Sequence, residues 1–163
     1  VDDERFWGLV AEARAHAASV EGRATWLVAS RVKLAPREVE RWGQCFDRAM
    51  AQAYRWDLWG VATLLHQGHE DEERFADFRG WIVSLGREAF EAALSDPDTL
   101  ADHLVAETPE ARAYLRIART AYEKLTGSEL PMTTMDLFAS PFGKPIAASE
   151  LATRFPRVAA LRA

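Results

Sequence analysis

Two groups of residues in this sequence have the types and spacing to do chemistry. The first joins "YRWDLWG" at 54–60 to "FADFRGW" at 75–81 and "GRE" at 86–88. It supplies Arg55, Trp56, Asp57, Trp59, Arg79, Trp81 and Arg87. Guanidinium groups recognise carboxylate or phosphate through paired N–H donors, and indole faces make pocket walls. Indole N–H groups also suit a carboxylate set among them. Two readings stay open. One is a polar network that locks two helices together. The other is a pocket in which Arg55, Arg79 and Arg87 offer charge to an anion. Under both, Asp57 and Arg79 are expected to pair across consecutive helices, because a buried charge without a partner is costly.

The second group is "HQGHEDEER" at 66–74. Two histidines and a carboxylate are a possible divalent-metal set. Surface histidines at an acidic helix start are the commoner arrangement. Gly68 interrupts helical spacing between His66 and His69, and there is no HExxH. No metal and no cofactor are therefore expected. Glycine-rich phosphate loops and G-x-S-x-G are absent as well. Asp47, Asp57 and Asp77 are the acids embedded among apolar residues, and Asp47 and Asp77 read as solvated helix-face residues. Cys45 is the single cysteine, which excludes an intramolecular disulfide and reads as a small buried hydrophobe.

The elements that must position these groups are helical. "DDERFWGLVAEARAHAAS" places Phe6, Leu9, Val10 and Ala13 on one face. "EGRATWLVASRVKL" carries Trp26, Leu27 and Val32. Pro36 opens a third helix with Val39, Trp42, Phe46, Ala49, Met50 and Ala53 at helical spacing. A short apolar helix follows, capped at Gly68, and then one with Phe75, Phe78, Trp81, Ile82 and Leu85 along a stripe. Gly86 ends or kinks that helix before "REAFEAALSDP". "TPEARAYLRIARTAYEKLTG" reads as a helix capped by Thr108, with Pro109 first and Gly127 closing it. No segment alternates with period two. The expectation is an all-α domain of about six to eight helices over 1–127. An irregular, proline-punctuated tail over 128–163 packs back on it, with one short helix near 149–154.

The chain has 163 residues, 48% hydrophobic and 28% charged, with a formal net charge of −5. That is enough to bury a core, and the acidic balance speaks against general nucleic-acid binding. No apolar run reaches membrane-spanning length. "VDDERFWGLV" lacks the basic flank of a secretory signal, so a cytoplasmic location is expected.

"FWGLVAEAR" and "YRWDLWGVATLLHQG…FADFRGWIVSLGREAFEAALSDPD" resemble the DUF4240 family, bacterial proteins frequent in actinomycetes. The resemblance covers about residues 4–126 and rests on Phe6, Trp7, Trp56, Asp57, Trp59, Gly60, Phe78, Arg79, Trp81, Gly86 and Arg87. "RFPRVAALRA" is similar to the Phe-Pro endings that follow this domain. The resemblance implies a helical domain and supplies no reaction. Family members are often without the histidines of 66–74, so any role for His66 and His69 would be this chain's own. Two function classes follow. The first is a non-catalytic module, monomeric or homodimeric, binding an anionic small molecule or a protein partner at the Trp/Arg/Asp site. The second is an enzyme of a bacterial specialised-metabolite pathway. It would use Asp57 or His66 as general acid or base, with Arg79 and Arg87 orienting an anionic substrate.

Overall fold

The computed structural model describes residues 1–31, 33–132 and 140–162, and is helical throughout with no named strand among them. Helix α1 (Asp3–His16) begins where the Asp2 side chain accepts the Arg5 N–H, and buries the expected Phe6, Leu9, Val10 and Ala13. Helix α2 (Val20–Arg31) buries Leu27, and also Arg23 and Arg31, on its inner stripe. Val32 lies outside the described residues. Helix α3 (Pro36–Gln52) starts on Pro36 and buries Val39, Trp42, Phe46, Ala49 and Met50 as its spacing predicts. Cys45 is buried on the same face.

Helix α4 (Trp56–Leu65) ends in a reversal through Gln67 and Gly68, both with positive φ. Helix α5 (Glu72–Ser84) is capped by Asp71 and carries the Phe75, Phe78, Trp81 and Ile82 stripe into the core. Gly86 ends that run and opens α6 (Arg87–Ser95). A 3-10 turn capped by Asp96 leads to α7 (Ala101–Leu104), and α8 (Ile117–Thr126) closes at Gly127. In the tail, α9 (Leu151–Arg154) and α10 (Pro156–Ala160) follow a further 3-10 turn. Ten α-helices therefore stand among the described residues, against the six to eight expected. The excess comes from single-turn pieces whose apolar spacing is too short to read.

One expected boundary is wrong. Thr108 and Pro109 do not start a helix; α8 begins at Ile117, after a 3-10 turn over Tyr114–Arg116. The reason is Glu107. Its carboxylate is drawn inward to Arg23, which is only 2% exposed. Arg23 Nη2 donates to Glu107 Oε1 at 2.7 Å and Nη1 to Oε2 at 3.1 Å. Trp81 Nε1 donates to Oε2 at 3.2 Å. The remaining Arg23 donors reach the carbonyls of Ala17 and Ala18 between α1 and α2. Every nitrogen of the buried guanidinium thus has an acceptor, which is the condition for such a pair to be tolerated. Tethered at 107, the chain then lies flat against α5. A Cβ added to Gly80 would stand 2.9 Å from Leu115 Cδ2 and 3.4 Å from Ala111 Cβ, so the segment packs closely on α5 at this glycine.

The tail packs on α4. Phe142 N donates to Tyr54 O at 2.8 Å, and Trp56 N donates to Phe142 O at 3.0 Å, joining two stretches of extended backbone. Leu151, Phe155 and Val158 are buried. Asp98 accepts the N–H groups of Arg157 and Val158 at 3.0 and 2.9 Å, holding the start of α10 from outside it. Gly60 is the seat: a Cβ there would meet Leu151 Cδ2 at 2.8 Å and Phe155 Cε2 at 3.2 Å.

Two outcomes are expected. Gly60→Leu should overfill the seat, lower stability by about 1–3 kcal/mol and open the chain beyond residue 140 to limited proteolysis. Unchanged protection there would show that the tail does not depend on this seat. Glu107→Gln should cost about 3–5 kcal/mol, read as a shift in the urea midpoint, because Arg23 keeps its charge without a carboxylate. Burial works against the charged form of Glu107, but Arg23, Trp81 and Arg14 outweigh it and hold the carboxyl below its ordinary value of 4.5. Its contribution is therefore whole above that value and is lost as the pH falls through the lowered folded value. A wild-type acid transition no steeper than that of Glu107→Gln would contradict this.

Candidate functional site

The structure does not gather the first group of residues into one pocket. Asp57 and Arg79 do not pair. Asp57 lies in the first turn of α4, where Oδ1 accepts the Leu58 N–H at 2.7 Å and Arg55 Nε at 3.3 Å. Arg79 donates from Nη1 to the carbonyl of Met50, in the last turn of α3, at 2.9 Å. Its guanidinium lies over the adjacent rings of Tyr54 and Phe75, 4.7 and 4.9 Å from their centroids. Each charge has found a helix end of opposite sign, the acid an N-terminus and the base a C-terminus. The expected pair assumed that only a counter-ion could satisfy them.

The tryptophans form a line rather than a cluster. Ring centroids step from Trp56 to Trp59 (5.6 Å), Phe75 (4.7 Å), Phe78 (6.3 Å) and Trp81 (5.8 Å). Trp81 is fully buried and hydrogen-bonded to Glu107, whereas Trp56 and Trp59 are half-buried. Of the three, Trp81 alone is fully buried. Arg55 lies over the Phe142 ring, at 5.3 Å, so this end of α4 is covered by the tail. Arg87 is on the surface, paired with Glu4 and Glu91.

Of the second group, His69, Asp71, Glu72, Glu73 and Arg74 are exposed as expected, whereas His66 and Glu70 are drawn inward. The Gln67–Gly68 reversal brings Glu70 back under the ring of His66, and Nδ1 of His66 meets Glu70 Oε2 in a short contact. Arg74 Nη1 donates to the His69 carbonyl at 2.7 Å and braces the turn. The Glu70 side chain is 2% exposed and that of His66 is 22% exposed. Burial raises the Glu70 carboxyl above its ordinary range, with His66 opposing. His66 lines a cleft of about 630 Å³ with Arg74, Asp77, Pro109, Glu110 and Arg112. Asp77 is no solvated helix-face residue: its side chain is 15% exposed and its Oδ1 is buried without a hydrogen-bond partner. Burial lifts its carboxyl above the usual range against the pull of Arg112. Asp47 is half-buried. His69 is exposed, and no three His, Cys, Asp or Glu residues among those described are placed to hold a metal ion.

A larger groove, about 860 Å³, runs between α2 and α8 on the other side of the 107–113 segment. Ala24, Val28 and Ala111 contribute to its apolar surface, and Arg112, Arg116 and Lys124 to its charge. The sequence reading missed this groove, because its walls come from segments ninety residues apart in the chain.

These placements separate the tryptophans energetically. Trp81→Ala should cost about 3–5 kcal/mol in chemical denaturation. Trp59→Ala, half-exposed at the start, should cost clearly less. Equal losses would mean that Trp59 is as buried as Trp81.

No helix of the described residues is long and apolar enough to cross a membrane. No curated protein and no solved structure matches the chain. A family profile described as "Protein of unknown function (DUF4240)" matches residues 1–124, the span from α1 nearly to the end of α8. On that match the chain belongs to the DUF4240 family.

Proposed function

We propose that this chain is a binding module for a small amphipathic anion, held in the groove between α2 and α8. One observation carries the reading: an apolar floor bordered by two cations that hold no acid in an ion pair. Arg116 and Lys124 stand at the rim and make no ion pair with another described residue. Arg112 beside them is paired with Glu73 and Asp77. A groove of this volume lies in the range of small-molecule sites, where apolar walls supply burial and a few charges fix orientation. Glu21 and Glu110 share the rim, which favours a single anionic head over a polyanion.

Titration with dodecanoate by calorimetry tests the reading. Saturable binding is expected. Replacing Arg116 and Lys124 together by Glu should weaken it about tenfold or more, since a charge-assisted hydrogen bond contributes about 1.5–3 kcal/mol. A flat titration, or an affinity unchanged in the double variant, contradicts the reading.

A further inference from the structure

We propose that the cleft between the end of α4, α5 and the 109–112 segment holds a general base, His66 backed by Glu70, for a small carboxylate-bearing substrate anchored at Arg112. The inference is independent of the α2–α8 groove and rests on side chains that the groove does not use, apart from Glu110 and Arg112 between them.

Three observations carry it. The first is orientation. The contact of Nδ1 with Glu70 fixes the ring and leaves Nε2 as the nitrogen free for other partners. A base oriented by a second group is the arrangement that proton abstraction requires. The second is burial without satisfaction. Glu70 Oε1 and Asp77 Oδ1 are both buried and unpartnered. A purely structural network satisfies its buried oxygens. The third is the cleft itself. His66 and Asp77 line one space of about 630 Å³, bordered by Arg74 and Arg112 against Glu110. Of the two cations, Arg74 is engaged with the His69 carbonyl. Arg112 is exposed and holds Glu73 and, at 3.6 Å, Asp77. These rim contacts are weak and can be exchanged for a substrate carboxylate.

The step moves one proton. The substrate O–H or N–H bond breaks and its electron pair stays on the substrate. The proton bonds to His66 Nε2, and the Glu70 carboxylate offsets the imidazolium charge. Asp77, whose carboxyl burial lifts above the usual range, lines the same space. The charged neighbours of the pair are Asp71, Glu73, Arg74, Asp77, Glu110 and Arg112.

Diethyl pyrocarbonate, which acylates an unprotonated imidazole nitrogen with release of ethanol and carbon dioxide, tests this on the intact chain. Mass spectrometry follows the four histidines separately. His16 and His69 are exposed, so accessibility alone would make them react first. The expected result is that His66 reacts several-fold faster than His16, His69 and His103. Acetate should slow His66 in the wild type and not in Arg112→Ala, and Glu70→Gln should remove the excess rate. A His66 that reacts no faster than His69 would overturn the proposal without recourse to any variant. A His66 that reacts fast but is indifferent to acetate would overturn the carboxylate substrate.

Discussion

The ion pair between Arg23 and Glu107 is the constraint on which the surrounding architecture depends. It joins a cation on the inner stripe of α2 to a carboxylate 84 residues later, and Trp81 of α5 shares the same oxygen. Three helices and one loop meet there. Because Arg23 also donates to two carbonyls between α1 and α2, the pair fixes the angle at which those helices meet. Removing either partner leaves a buried charge, whereas apolar substitution of both would spare the protein that cost. The pair therefore specifies an arrangement as much as it stabilises one.

Its consequence is the path of residues 107–113. Free of Glu107, "TPEARAYLRIAR" has every local signal of a helix. Tied down, it runs as a wall along α5, where Gly80 gives it room. Both clefts border on this wall, and Glu110 and Arg112 line both. The tail is held by separate means, through Gly60 and Asp98, on the opposite flank of α4. Within the Trp-Asp-Leu-Trp-Gly run, then, the glycine seats the tail, the aspartate steadies a helix start, and the tryptophans carry an aromatic line into the core.

Much of the fold was legible in the sequence. The stripes of α1, α3 and α5 follow from spacing alone, since a helix with one apolar face has one way to bury it. Gly127 was legible as a stop for the same local reason, its αL backbone being what a helix C-terminus favours. What could not be read was set at long range. The α8 start lost to Glu107, a tertiary contact overriding a good local cap. The Asp57–Arg79 pair failed because helix ends compete with ions as partners, and those ends are placed only by the fold. Arg55, Trp56, Asp57 and Trp59 stay together because they are consecutive, while Arg79, Trp81 and Arg87 part company because their shared helix face and loop point to different neighbours. His66 was singled out by residue type, but its partnership with Glu70 depends on two successive positive-φ residues, Gln67 and Gly68. Only glycine announces such a conformation in a sequence.

The account stands on the claim that Glu107 holds the common wall of both clefts. Amide hydrogen exchange across 107–116, compared between the wild type and Glu107→Gln under conditions where both remain folded, tests it most directly. The account predicts that protection at Tyr114, Leu115 and Arg116, whose amides bond to Ala111 and Ala113, falls sharply in the variant while the centre of α3 keeps its own. Equal protection of 107–116 in the two proteins would contradict it, because the segment would then hold its path without the carboxylate.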